Sequence, residues 1–286
     1  MTPEQRYLFD VTGYLHIEGA LTGADLEKAQ AAADQYIYSD PAQYPPGFRT
    51  RPRDLTAEQA GNLPLIRYEN GFAYDRSLEA MTMSPTTWPI IKEFTDNKPR
   101  LVSGTLSYQS YFEDQPPFSS PATNPGGLHG GPLHYLNRYQ VKDGRIFCNN
   151  FVCFFYLTDV EPGDGGLIVV PGSHKGEFAL PDYLLSSDAA GLDAVKDPVV
   201  TNLTPRAGDF LIISELTTHG VLRWRRKDKD RRFLILRYVP QYEGKMSLPE
   251  EILERLAPET QELVSVLGYG HQKEIAQQDR ITLSAL

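Results

Sequence analysis

The sequence has few of the residues that mark secreted, membrane-spanning or nucleic-acid-binding proteins. It contains only two cysteines, and it has no apolar run long enough to cross a bilayer. Acidic residues outnumber basic ones, and the net charge of -9 disfavours capture of a nucleic acid polymer or of an anionic membrane surface. The first residues, MTPEQRYLFD, lack the charged-then-apolar layout of a signal peptide. We therefore expect a soluble, cytoplasmic protein.

The two cysteines indicate the same compartment. Cys148 and Cys153 lie an odd number of positions apart in an apolar run that is typical of a strand. Side chains alternate between the faces of a strand, so we expect these two to point in opposite directions. The sequence therefore predicts reduced, buried thiols and no disulfide.

The length of 286 residues and the 41% hydrophobic content favour one domain with helical additions. We expect a helical part over about 1–100, a β core over about 101–240 and a helical tail over 241–286. Within these parts, helical spacing predicts helices over 21–39, around 87–96 and over 247–268, with Pro258 splitting the last. Residues 39–65 combine Pro, Gly, Arg and Asp, which indicates an irregular segment.

From Leu101 onward the sequence consists of short β-branched or aromatic runs separated by Gly, Pro and Asp. The runs are LVSGTLSYQSYF, IFCNNFVCFFYLTDV, GGLIVVPGS, GDFLIISELTTHG and RRFLILRYVP. Many short strands at this spacing predict a β-sandwich or a jelly roll.

Histidine is the usual neutral nitrogen ligand of iron, zinc and copper, and the chain has six. His16 and His271 are expected to be structural or solvent-facing, and His174 to fix a turn by bonding to backbone. His219 is expected to end a strand that starts at the turn before Phe210. That position at the mouth of a jelly roll suits a metal ligand, although a structural histidine is an equal alternative from this residue alone.

Two arginines, Arg231 and Arg232, begin another strand about a dozen residues after His219. If the two strands pair as a hairpin, one arginine points inward beside the histidine. A buried guanidinium needs an anionic partner, and its fork matches a carboxylate. The alternative is a solvated hairpin tip, because RWRRKDKDRR mixes both charges.

Four segments in order, FDVTGYLHIEGAL, FYLTDVEPGDGGLIVVPGSHKGEF, RAGDFLIISELTTHG and RRFLILRY, resemble the phytanoyl-CoA dioxygenase family of iron(II) and 2-oxoglutarate dependent oxygenases. The resemblance implies a mainly β fold, a double-stranded β-helix (jelly roll, cupin-like) with flanking α-helices. It also implies an iron site made by a His-x-Asp pair and a distal histidine, and an arginine for the distal carboxylate of 2-oxoglutarate. Carried over, these positions fall on His129, His219 and Arg231, while the aspartate position falls on Gly131.

Gly131 departs from the family pattern and removes one ligand and one negative charge. The His-x-Gly pattern resembles that of iron and 2-oxoglutarate dependent halogenases, in which the aspartate is replaced by Gly or Ala. There a chloride ion takes the vacant position, and a ferryl species formed from dioxygen and 2-oxoglutarate abstracts hydrogen before chlorine is transferred. This reading predicts Fe(II), 2-oxoglutarate, O2 and chloride as cofactors, and chlorination of an unactivated C–H bond.

Three alternatives remain open. A water molecule could complete the site, with charge supplied by Glu215 or Asp143, and the enzyme would then be a hydroxylase. His134 could replace or join His129, but it also lacks an aspartate two positions later, which favours His129. The third alternative is a non-catalytic binding module of the same fold.

The substrate is expected to be a small molecule, and an anionic, nucleotide-like compound is compatible with the arginines and aromatic residues near the expected mouth. No polymeric nucleic acid or membrane partner is expected, and the oligomeric state stays open. The candidate anion-binding residues are Arg49, Arg51, Arg53 and Lys175. The candidate stacking and pocket residues are Tyr108, Phe112, His134, Tyr135 and Tyr139.

Overall fold

The computed structural model describes residues 1–52, 65–113, 128–130, 138–181, 198–243, 248–265, 269–275 and 281–284. Its helices are α1 Pro3–Thr12, α2 Gly23–Tyr38, α3 Arg76–Glu79, α4 Trp88–Phe94, α5 Glu250–Leu253 and α6 Pro258–Val264. Its strands are β1 Tyr14–Ile17, β2 Arg49–Arg51, β3 Leu65–Glu69, β4 Pro99–Gln109, β5 Tyr139–Lys142, β6 Arg145–Cys148, β7 Phe151–Tyr156, β8 Gly166–Val169, β9 Thr201–Asn202, β10 Phe210–Ser214, β11 His219–Leu222 and β12 Arg231–Pro240.

The strands form two main antiparallel sheets. Within the described ranges, seven strands make the larger sheet in the order β1-β10-β7-β12-β4-β3-β2. The smaller sheet has the order β11-β8-β9, and β5 and β6 form a separate hairpin. Two facing antiparallel sheets with non-consecutive neighbours make a jelly roll. The predicted double-stranded β-helix with flanking α-helices is confirmed.

The larger sheet has one face toward the smaller sheet and one toward the helices, and β12 shows the division. Phe233 packs in a cluster with Leu167 and Val169 of the smaller sheet. Leu234 and Leu236 instead join the larger cluster, which includes residues of the helices. Because side chains alternate along a strand, Arg231, Phe233, Ile235 and Arg237 share the inner face, which faces the smaller sheet.

The predicted division near residue 100 does not separate helices from strands. β1 pairs with β10 in the larger sheet, and β2 and β3 extend that sheet beyond β4. The sequence pattern missed β2 and β3 because they carry arginines and a glutamate on one face where alternation normally shows apolar residues.

The predicted helices agree with the structure in position. α2 occupies most of 21–39, α4 lies within 87–96, and the chain between α5 and α6 turns just before Pro258, as expected. Ser247, the proposed cap of the C-terminal helix, lies outside the described residues. No helix in the described part of the chain has the length and hydropathy needed to cross a membrane.

Cys148 and Cys153 are buried and free, as expected, but the assumption of one continuous strand is wrong. Cys148 ends β6 and Cys153 lies within β7, with a turn at 149–150 between them. Burial raises the pKa of the Cys148 thiol to about 11, so it is protonated at neutral pH.

The Asp209 carboxylate ties the start of β10 to the N-terminal strand. It accepts hydrogen bonds from the backbone N–H of Gly19 and Arg206 at 2.9 and 2.8 Å, and His16 Nε2 lies 2.7 Å away. Burial alone would raise the pKa of Asp209, but these hydrogen bonds outweigh it and the net pKa is lowered. His16 is therefore structural, as predicted.

Replacing Asp209 by Asn should destabilise the protein by about 2 kcal/mol at neutral pH, because an amide cannot accept from all three donors. A carboxyl group with a lowered folded-state pKa stabilises the fold above its unfolded pKa, near 3.9, and loses that contribution as the pH falls through the folded value. The difference between wild type and Asp209→Asn should therefore shrink below about pH 4. Denaturant unfolding of both proteins at pH 7 and pH 3 measures this difference in the free energy of unfolding. Asp143→Asn, in an exposed turn at positive φ that asparagine tolerates, is the control and should have little effect.

Candidate active site

Two histidines from distant parts of the chain face each other across a backbone bridge. His129 N–H donates to the His219 carbonyl at 2.8 Å, and His219 N–H donates to the His129 carbonyl at 2.7 Å. Residues paired in this way have their side chains on the same face. The ring centroids are 4.2 Å apart. The bridge therefore places two imidazoles side by side.

The His219 ring has a defined tautomer. Its Nδ1 lies 2.7 Å from the carbonyl oxygen of Thr217, and a carbonyl can only accept a hydrogen bond. Nδ1 therefore carries the proton, and the Nε2 lone pair is free to bind a metal. Thr217 is itself held because its hydroxyl donates to the Gly13 carbonyl at 2.8 Å.

Both imidazoles are neutral at physiological pH. Burial, together with the charges of His219, Arg237 and Arg67, lowers the pKa of His129 to about 4. Burial also lowers the pKa of His219. The Nδ1 atom of His129 is buried and has no hydrogen-bond partner among the described residues. Metal ligation requires neutral imidazole, so the pair has the protonation state of a metal site.

Gly130 explains why His129 stands among glycines. Its φ is +149°, and a Cβ there would lie 2.7 Å from the Thr218 Cα and 2.8 Å from the Thr217 carbonyl oxygen. These are backbone atoms, which cannot move aside cheaply. The residue after His129 must therefore lack a side chain for the bridge to His219 to close.

Arg231 is the inward-pointing arginine, and it is 1% exposed. Its guanidinium donates to Gln109 Oε1 at 3.0 Å and to the Tyr156 hydroxyl at 2.5 Å, and it lies 4.2 Å from the Phe233 ring centroid. Its Nε has no partner, and no carboxylate pairs with it in the described part of the chain. A buried guanidinium without a counter-ion is a receptor for a carboxylate.

Arg231 lies in the interior because of a different strand pairing from the one expected. β11 pairs with β8, and β12 pairs with β4 and β7, so the supposed hairpin between His219 and Arg231 does not form. His219 begins β11 and does not end the preceding strand, since β10 stops at Ser214. Arg232 points to the other face and pairs with Asp34 and Asp230.

A cavity of about 590 Å³ opens on the same inner face and is rich in arginine. Its charged lining residues are Arg49, Arg51, Arg67, Arg237 and Glu69. Glu69 pairs with Arg49 and Arg51, while Arg237 pairs with Glu215. Arg49 and Arg51 therefore lie where the sequence analysis placed an anion-binding site, although both already contact a carboxylate.

The other predicted substrate residues that the structure describes include Tyr108 and Phe112. Tyr108 lies on the outer face, packed against the larger core cluster, because its neighbour Gln109 points inward. Its placement does not support a role beside His129. Phe112 is half-buried beyond the end of β4. Gly131, Arg53, His134 and Tyr135 lie outside the described residues, so their predicted roles stay predictions.

Tyr139 and Lys175 belong to a structural cluster with α1. The Tyr139 hydroxyl donates to Asp10 at 2.6 Å, and Lys175 forms an ion pair with the same carboxylate at 2.6 Å. His174 is fully buried against the Tyr139 ring. Burial lowers the pKa of His174 to about 4 against the opposing effect of a hydrogen bond with the Asp10 backbone, in line with the predicted bond to backbone.

Several residues of the site escaped the sequence analysis. Gln109, Tyr156 and Thr217 hold Arg231 and His219 in place, and Arg67 and Arg237 line the cavity. Period-two alternation from Arg231 would have marked Arg237 as inward-facing. The others depend on which strands pair, and no local pattern reports this.

Comparison with known proteins agrees with the geometry. The model of the family "Phytanoyl-CoA dioxygenase (PhyH)" matches residues 9–232. The chain belongs to the phytanoyl-CoA dioxygenase family. Its relatives include the dioxygenase cdmD of Talaromyces verruculosus, which is 28% identical over 144 residues covering 48% of this chain and 44% of that protein. The peroxisomal phytanoyl-CoA dioxygenase of Homo sapiens is 23% identical, covering 77% of this chain and 63% of that protein.

The chain thus spans between about 44% and 63% of the length of these curated relatives. Among solved structures, HygX from Streptomyces hygroscopicus with nickel and 2-oxoglutarate bound superposes with a TM-score of 0.63. It is 23% identical, and the match covers 84% of this chain and 87% of that chain. At this identity the match confirms the jelly-roll fold of the PhyH family.

Replacing Gly130 by Ala should separate the two histidines, because the new Cβ would meet backbone on the β11 side. We expect a lower melting temperature and loss of most nickel binding, approaching the level of His129→Ala. Gly144→Ala also introduces a side chain at positive φ, but in open space, so it controls for backbone strain alone. Nickel titration followed by calorimetry measures both. Wild-type nickel affinity in Gly130→Ala would show that the bridge is not needed for the site.

Proposed function

We propose that this chain is an iron(II) and 2-oxoglutarate dependent oxidoreductase that acts on a small molecule. His129 and His219 would hold the iron, and Arg231 would bind the distal carboxylate of 2-oxoglutarate. The observation that carries the proposal is the buried Arg231, which lacks a carboxylate partner among the described residues and shares the sheet interior with a pair of neutral histidines.

The donor set fits the proposed metal. Two neutral nitrogens on one face leave other coordination positions for a bidentate keto acid and a further ligand. Among the described residues, no group of three His, Cys, Asp or Glu side chains that could hold a metal converges. HygX has been solved with nickel, 2-oxoglutarate and hygromycin B, which supports a small-molecule substrate for this fold.

Neighbouring side chains orient His219 and Arg231, the residues that would bind iron and 2-oxoglutarate. When bound, iron, 2-oxoglutarate and dioxygen supply an oxidant for an unactivated C–H bond. Thr217 holds the His219 ring in the tautomer that leaves Nε2 free. Gln109 and Tyr156 hold the Arg231 fork in place, so little rotamer entropy is lost when a carboxylate binds. The Phe233 ring covers the guanidinium and keeps water away from it.

We further propose that the enzyme is a halogenase, because Gly131 stands where the family pattern has an aspartate. A chloride ion would supply the missing negative charge and occupy the space that a side chain would fill. The positive charges of Arg67 and Arg237, which act on the His129 ring, favour an anion at this point.

A hydroxylase with a water-completed site is the second candidate. It is favoured by Glu215, which lies four residues before His219 and pairs with Arg237, so a carboxylate is available near the histidines. Asp143, the other carboxylate considered, lies in the exposed turn between β5 and β6 and is a poorer candidate.

Replacing Arg231 by Gln should weaken 2-oxoglutarate binding by about 2 kcal/mol or more, roughly 30-fold, because a charge-assisted contact is lost. Arg232→Gln is the matched control, since the adjacent arginine points to the opposite face and pairs with aspartates. Calorimetric titration of 2-oxoglutarate into the nickel-loaded protein measures the effect. Equal losses in both variants would assign the carboxylate site elsewhere.

Replacing Gly131 by Asp should remove any dependence on chloride, because the new carboxylate competes for the same position and supplies the same charge. The measurement is the visible absorption of the anaerobic iron and 2-oxoglutarate complex, titrated with chloride. We expect a chloride-dependent spectrum in the wild type and none in the variant. If the wild-type spectrum does not change with chloride while iron is fully loaded, the halogenase proposal is wrong and the hydroxylase is the remaining function.

A further inference from the structure

The arginine-lined cavity contains an arrangement that the fold alone disfavours. Arg51 of β2 lies directly opposite Arg67 of β3 in the antiparallel register, so the two side chains share one face. Like charges at directly opposed positions destabilise a sheet. The charge of Arg51 and the burial of Arg67 both lower the pKa of Arg67, burial being the larger cause. The sheet therefore bears an electrostatic cost at this position.

The carboxylates of the cavity do not remove this cost. Glu69 is shared by Arg49 and Arg51, and Glu215 pairs with Arg237. Among the described residues, Arg67 has no carboxylate partner. Among the described residues, four guanidinium groups and two carboxylates leave an excess of two positive charges around this cavity. A bound anion carrying two negative charges would balance it.

A second observation points to a ligand beside Arg67. Ser107 of β4 lies directly opposite Arg67 on the other side of β3, is 1% exposed, and has a hydroxyl without any hydrogen-bond partner in the described part of the chain. A buried hydroxyl left unbonded costs free energy unless something else pairs with it. Arg51, Arg67 and Ser107 therefore form a row of donors across three neighbouring strands.

We infer that this row binds a phosphate-bearing group of the substrate, with Arg51 and Arg67 contacting its oxygens side by side from one face of the sheet. A carboxylate has two oxygens and is matched by one guanidinium fork, whereas a phosphate monoester presents three oxygens and up to two charges. Two neighbouring guanidinium forks fit the phosphate better. Because Arg237 lines the same cavity and shares the inner face of β12 with Arg231, the remainder of such a substrate would lie along that face toward Arg231.

This inference rests on the proposed function for its meaning as a substrate site, but its test needs no iron. Inorganic phosphate is titrated by calorimetry into the metal-free full chain. We expect saturable binding that falls at least tenfold in Arg67→Gln and in Arg51→Gln. Arg145→Gln makes the same change at an exposed position on the β5-β6 hairpin and should leave phosphate binding unchanged.

The melting temperature of Arg67→Gln distinguishes a binding role of Arg67 from a structural role. Because Arg67 opposes a like charge and has no described carboxylate partner, Arg67→Gln should keep or raise the melting temperature while phosphate binding falls. A lowered melting temperature with unchanged phosphate binding would overturn the inference. Arg51 is largely exposed, so its variant should fold in either case and gives an independent measurement.

Two further experiments test the chemical class of the ligand and the position of its binding site. Malonate, a dianion with two carboxylates, should bind the wild type at least tenfold more weakly than phosphate, and equal or tighter binding would overturn the phosphate assignment. Arg231→Gln should retain phosphate binding, and its loss there would place the anion at Arg231 and overturn the inference. In His129→Ala, nickel binding should be lost while phosphate binding remains. That result would show that the phosphate site does not depend on the proposed metal site.

Discussion

The alternation of side chains along β12 is the constraint on which the site depends. Its inner positions carry Arg231 and Arg237, and its outer positions carry Leu234 and Leu236 against the helices. A register shift of one residue would turn both arginines into the apolar cluster and both leucines toward the cavity. The burial of the leucines therefore fixes the direction of the arginines. The hydrophobic core and the anion receptors are specified by the same strand pairing.

The smaller sheet supplies the second half of the site through a single bridge. His219 opens β11, and the hydrogen bonds that join it to His129 are the kind that extend a sheet by one residue pair. The bridge is short, so its geometry depends on what flanks it. Gly130 allows the close approach, and Thr217 orients the ring. The proposed metal site, built on one bridge, would need these neighbours more than a site on a long strand.

Much of this arrangement could be predicted from sequence, and the failures have definite causes. Apolar runs located β7, β8, β10 and β12, and helical spacing located α2, because burial on a regular face leaves a periodic pattern. The resemblance to the PhyH family placed His129, His219 and Arg231 in the interior. The hairpin expected between β11 and β12 was wrong because spacing along the chain does not report which sheet a strand joins. β2 and β3 were missed because their inner face carries charge.

The charge of the inner face connects the two unusual features of the molecule. A site with two neutral histidines and no aspartate binds a dipositive metal with one negative charge fewer than the family pattern provides. In the proposed function, glycine at position 131 would leave the positive charges of Arg67 and Arg237 to attract an exogenous anion at the metal and an anionic group in the cavity. On this view the lost carboxylate and the unpaired arginine are two parts of one electrostatic arrangement, which selects for small anions at both positions.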